Sequence, residues 1–108
     1  MFARNVSVHL KSNMLSEYGH VFENQILPLL RKQTGFKDEI TLANANGVDV
    51  TAISLWENKR DAEAYNTNTY PEVVKICSKL IDGTPKVQTS EVVNSTFHKI
   101  TAQVPVHA

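Results

Sequence analysis

Apolar and polar residues alternate along the opening of the chain. Val6, Val8 and Leu10 interleave with Asn5, Ser7 and His9, which puts the two sets on opposite faces of a strand over residues 2–11. The period then changes. From 14 to 34 the apolar positions Leu15, Tyr18, Phe22, Ile26 and Leu29 recur three or four apart, predicting an amphipathic helix with Ser12 and Asn13 as cap candidates. Gly35 supplies a left-handed position after it, and Phe36 the apolar contact that often follows. Two residues oppose an unbroken helix. Gly19 costs about 1 kcal/mol against Ala and Pro28 about 3 kcal/mol or more, so a kink or break is expected near residues 24–28. Gly19 reads as close packing of helix on sheet, or as room left for a ligand.

Residues 36–44 and 48–56 return to strand character around Asn46-Gly47, the strongest short signal for a hairpin. The second strand ends on the only tryptophan, Trp56, and passes at once into a charged stretch. There Asn58 caps a short helix to about Tyr65, with Ala62 and Tyr65 turned inward. Pro71 opens a further helix whose stripe is Val73, Ile76, Cys77, Leu80 and Ile81, ended by Gly83 and Pro85. Residues 87–100 alternate once more and predict a final strand of about 14 residues, well beyond the usual five or six. Such a strand overhangs its own sheet and is expected to reach a second copy. The tail 101–108 lies outside the domain formed by residues 1–100 and is expected to be loosely held.

The order strand, helix, strand, strand, helices, strand is the α+β ferredoxin-like split βαβ arrangement, an antiparallel four-stranded sheet with helices on one face. Strand 48–56 is apolar on both sides, with Val50, Ala52 and Ser54 opposite Ile53 and Leu55. The free face therefore calls for a partner sheet, as in a homodimeric α/β barrel.

Composition narrows the function classes. At 108 residues the chain holds one core. Eleven basic and eleven acidic side chains cancel and are interspersed, which leaves no electrostatic footprint for nucleic acid or an anionic membrane. No stretch approaches the ~18 apolar residues of a membrane helix, and the opening has no secretory apolar core. The single cysteine, Cys77, falls on a core stripe, its usual place in a reducing compartment, so a cytoplasmic location is expected. His9, His20, His98 and His107 show no metal-binding spacing, and the four glycines form no phosphate loop, so neither a metal nor a bound cofactor is signalled.

Three segments carry a family resemblance: the opening FARNVSVHL, the stretch ILPLLRKQTGF, and above all ISLWENKRDAEAY. With them the chain resembles the antibiotic biosynthesis monooxygenase domain family over nearly its whole length to about Ile100. The resemblance implies a dimeric α/β barrel with a cavity between sheet and helices in each subunit. It also implies a cofactor-independent monooxygenase that uses molecular oxygen on a small or aromatic organic substrate. In those terms Asn5, Trp56 and Tyr65 are the expected catalytic residues. Asn5 would donate its amide to an oxyanion, Trp56 would pack on an aromatic ring and donate its indole N–H, and Tyr65 would hydrogen-bond or relay a proton. His20, Phe22 and His98 are the expected substrate contacts, either histidine being able to act as a base near neutral pH. The haem-degrading branch uses a histidine ligand where Lys75 stands here. A protonated amine is a poor axial ligand, which argues against haem. The alternative from another class is a non-catalytic dimeric module that binds a hydrophobic ligand.

Overall fold

The computed structural model of the protein describes residues 1–100. The predicted tail 101–108 and His107 lie outside the described residues. Strand β1 (Phe2–Leu10) leads into helix α1 (Leu15–Val21), a π-helical turn (Phe22–Ile26) and helix α2 (Leu27–Arg31). Strands β2 (Phe36–Ala43) and β3 (Asp49–Trp56) form the hairpin. Helices α3 (Lys59–Asn68) and α4 (Tyr70–Cys77) follow, then strand β4 (Ile81–Glu91). The sheet is antiparallel in the order β2-β3-β1-β4, the predicted ferredoxin-like topology.

Local chemistry explains most boundaries. The hairpin turns on Gly47 at φ +75°, while the Asn46 side-chain oxygen accepts from the backbone N–H of Val48 and Asp49. Asn58 caps α3, its side-chain oxygen accepting from the Asp61 N–H at 3.0 Å. Gly35 sits at φ +79° after the first helical stretch, and a Cβ there would run into the Asp61 carboxylate. Glycine is therefore required twice over, by conformation and by space.

The helix expected over 14–34 does change geometry at Pro28. Pro28 has no N–H to offer the carbonyl one turn back, and the chain answers with a π turn directly before it. A π turn takes up more residues than an α turn. The buried stripe therefore runs through Tyr18, Ile26 and Leu30, with Phe22 half-buried, rather than ending on Leu29. Neither Ser12 nor Asn13 caps α1; Met14 occupies that position and Asn13 is left-handed at φ +62°.

The last strand departs most from expectation. It begins at Ile81, six residues before the predicted start at 87, and ends at Glu91 rather than at 100. Its beginning was hidden by Gly83 and Pro85, which an edge strand accommodates. Opposite them the register steps from Ser7↔Lys86 to His9↔Asp82, a bulge that absorbs the surplus residues. Its end is set by its partner: β1 starts at Phe2, which pairs with Glu91, and the Val92 N–H donates to the Met1 carbonyl at 2.9 Å. With no further strand to pair with, residues 92–100 leave the ladder and cross the outer sheet face. The overhang inferred from a 14-residue strand is therefore absent.

Helices cover one face of the sheet. The core there comprises Phe2, Leu10, Tyr18, Ile26, Leu30, Val50, Trp56, Ala62, Tyr65, Val73, Cys77, Leu80 and Ile81. On the other face Ile40 and Leu42 are half exposed, beside Ile53 and Leu55. Among the described residues, no helix is long and apolar enough to cross a membrane.

Candidate functional site

Strand register builds the site. Arg4 pairs with Ser54, and Ser54 pairs with Glu39, so these three form one row across β1, β3 and β2. Val6, Ala52 and Thr41 form the next row. Both rows point toward the helices. Ala52 and Ser54, in the middle of each, are too small to fill the space beneath the helices, and a hollow remains over them. Its roof is Tyr18 from α1, Phe22 and Ile26 from the π turn, Tyr65 from α3, and Tyr70, Val73 and Cys77 from α4. The free volume accessible to the centre of a water molecule is about 50 Å³. That is room for roughly three or four waters.

Arg4 is the unusual member. It is 2% exposed, on the same strand face as Phe2, Val6 and Leu10. Its guanidinium lies 4.0 Å from the Tyr70 ring centre and 5.2 Å from that of Tyr65, and it donates to the Asn66 side-chain oxygen at 2.6 Å. Among the described residues no carboxylate pairs with it within ion-pair distance. Burial lowers its pKa, and the two tyrosines only partly offset this. A buried cation without a counter-ion is costly, and here it lines a hollow.

At the far end of the row, the half-buried Glu39 also lines the hollow, its Oε2 accepting from Thr41 Oγ1 at 2.7 Å. Burial raises the pKa of this carboxyl, against the pull of the Thr41 bond. The phenols between them keep their protons: burial pushes Tyr65 up to about 12 and raises Tyr18 and Tyr70 as well. Cys77 is pushed up to about 11 by burial, so its thiol stays protonated at neutral pH.

Of the residues expected from sequence to act in the cavity, Tyr65 and Phe22 line it. Trp56 stands behind Tyr65, fully buried, its ring 5.0 Å from the tyrosine ring. Its indole N–H donates to Ser54 Oγ at 2.9 Å, so it holds the floor of the hollow rather than facing a ligand. The other three expected residues lie outside the hollow. Asn5 lies on the opposite face of the sheet, because Arg4 and Val6 take the inward positions and strand side chains alternate. His20 is exposed on α1, two positions past the inward Tyr18. His98 sits on the outer face with Asp38, since the chain has left the ladder by Val92. Lys75 is exposed on α4, outside the hollow.

Arg4 and Glu39 were missed. Alternation alone would have flagged Arg4, which shares its face with Phe2, Val6, Val8 and Leu10 and is the one charge in that apolar set. Among the described residues, no three His, Cys, Asp or Glu side chains gather closely enough to hold a metal ion.

No protein-family profile matches the sequence, and no curated protein matches it. Solved structures do. The monooxygenase from the gene ActVA-Orf6 of Streptomyces coelicolor, in complex with the ligand nanaomycin D, superposes with a TM-score of 0.75 at 16% identity, covering 91% of this chain and 92% of that one. SnoaB, a cofactor-independent oxygenase from Streptomyces nogalater, gives a TM-score of 0.73 at 11% identity over 88% and 95% of the two chains. An antibiotic biosynthesis monooxygenase structure gives 0.69 at 9% identity over 87% and 100%. At these identities the likeness establishes the fold, and the resemblance carried by ISLWENKRDAEAY holds at that level.

Proposed function

We propose that the protein is a cofactor-independent monooxygenase that oxidises a small aromatic phenol or enol with molecular oxygen inside this hollow. The observation that carries the reading is Arg4: a buried guanidinium, without a carboxylate partner among the described residues, facing a space walled by tyrosine rings. That is the electrostatic complement of a planar aromatic oxyanion. A phenolate or enolate is electron-rich enough to reduce oxygen directly. For anthrone the balance is one dioxygen consumed, with one oxygen atom becoming the new carbonyl and the other leaving as water with both hydrogens of the reacting carbon. The fold shared with SnoaB and with the ActVA-Orf6 monooxygenase supports the same assignment.

The small free volume of the hollow favours a second reading, a ligand-binding module without chemistry. Oxygen uptake with a panel of anthrones and quinols separates the two. Uptake stoichiometric with product supports the oxygenase, and binding without uptake supports the module.

The exposed Ile40 and Leu42 support a homodimer formed through the outer sheet face. Light scattering is expected to give twice the chain mass, and Ile40→Lys to halve it. The buried, unpaired Cys77 supports a cytoplasmic location.

A further inference from the structure

The hollow has two ionisable ends, and the oxyanion reading uses only one of them. We propose that Glu39 is the general base that ionises the substrate, and that Arg4, at the other end of the same cross-strand row, receives the oxyanion so formed. This deepens the oxygenase reading of the site and rests on it.

Three observations place Glu39 in that role. Both groups pair with Ser54, so they stand two strand spacings apart, roughly 10 Å between backbones, with Ser54 between them on the sheet. A planar molecule lying over Ser54 and Ala52 meets the carboxylate at one edge and the guanidinium at the other. Thr41 Oγ1 fixes Oε2 of Glu39 from the adjacent row, leaving Oε1 with no protein donor among the described residues. Finally, the other titratable groups facing the hollow are Arg4 from β1, Tyr18 from α1, Tyr65 from α3, and Tyr70 and Cys77 from α4. Burial holds these phenols and the thiol protonated at neutral pH, whereas a carboxyl raised from its ordinary value moves toward the range in which a base works best. No histidine among the described residues lines the space.

The step is a proton transfer. Glu39 Oε1 forms a bond to the hydrogen of the substrate O–H, or of the acidic C–H beside its carbonyl. The bond to that hydrogen breaks, and its electron pair stays on the substrate as phenolate or enolate. The oxygen that carries the charge rests against Arg4. No oxidant is consumed in this step, so it can be observed without dioxygen.

Anaerobic deuterium exchange at the reacting carbon of anthrone in heavy water, followed by NMR, reads the step directly. The wild-type protein is expected to accelerate exchange above buffer, with a rate that rises with pH through one ionisation above the ordinary carboxylate value. Glu39→Gln is expected to lose about 100-fold or more of that acceleration and the pH dependence with it. Glu39→Asp, which restores a shorter carboxylate, is expected to recover part of the rate, while the exposed Lys75→Ala leaves it unchanged. Exchange in Glu39→Gln equal to wild type, or no acceleration by the wild type, overturns the proposal. Oxygen uptake measured on the same samples tests the oxygenase reading separately. Exchange without uptake leaves Glu39 as the base and removes the monooxygenase, and uptake unaffected by Glu39→Gln removes Glu39 and leaves the monooxygenase.

Discussion

Replacing Arg4 by methionine should make the protein more stable and less active. Methionine matches the length of the arginine stem, fills the same path under Tyr65 and Tyr70, and carries no charge into the interior. Burying the guanidinium costs several kcal/mol in lost hydration. Against this stand the stacking on Tyr70 and Tyr65, about 2 kcal/mol for a desolvated pair, and the bond to Asn66, about 1.5–3 kcal/mol for a charged donor. Asn66 itself is exposed, so water replaces the lost donor at little cost. These terms nearly cancel, and the apolar area that methionine buries, about 1.5–3 kcal/mol for a full side chain, leaves it ahead by about 1–3 kcal/mol, a rise in Tm of about 5–15 °C for a domain of this size. Urea unfolding of both proteins at neutral pH, with unchanged slopes, measures the difference. Oxygen uptake with anthrone should fall at least 100-fold in the same variant. A loss of stability of about 2 kcal/mol or more on Arg4→Met would show that the guanidinium is held for the fold and does not await an anion.

Burial raises the Glu39 carboxyl above its unfolded value, so between the two pKa values the native state holds the proton more tightly and stability falls as pH rises through the folded value. Glu39→Gln should remove that part of the slope in urea midpoints measured from pH 4 to 8, and an unaltered slope would contradict the burial. Asn5→Ala should leave oxygen uptake within about twofold of wild type, because Asn5 points away from the hollow. Trp56→Phe should cost about 1–3 kcal/mol in urea unfolding through a void beside Tyr65 and loss of the bond to Ser54. Gly35→Ala should cost about 2 kcal/mol or more, and a companion Asp61→Ala should recover only part of it, because the Cβ at position 61 stays 2.7 Å from the new methyl and the positive φ is unchanged.

The fold was readable because its signals are local. Asn46-Gly47, the Asn58 cap, Gly35 and the change of period after Leu10 each act over a few residues and name their own element. Pro28 likewise announced a break, though not that a π turn would make it or that the stripe would pass to Leu30. The last strand was misplaced because its limits depend on β1: a bulge opposite Ser7 to His9 accepts Gly83 and Pro85, and the absence of a partner beyond Phe2 ends pairing at Glu91. The site was less legible still. The row from Arg4 through Ser54 to Glu39 joins three strands, and register between segments 50 residues apart is written in no single stretch. Transfer from the family resemblance selected Asn5, one residue from the inward Arg4, and one residue in a strand is the difference between the two faces of a sheet. Tyr65, taken from the same resemblance, does line the hollow, because the helix that Asn58 caps turns that side of α3 to the sheet.

If the Arg4 hollow binds an aromatic oxyanion and lets dioxygen react with it, the oxygen gained by the product comes from dioxygen. Oxidation of anthrone under isotopically labelled dioxygen, with the product weighed by mass spectrometry, reads this. One labelled oxygen atom is expected in the anthraquinone formed by the wild-type protein, at a rate at least 100-fold above that of the folded Arg4→Met variant. Unlabelled product, no product above the buffer rate, or equal rates in the two proteins would contradict it.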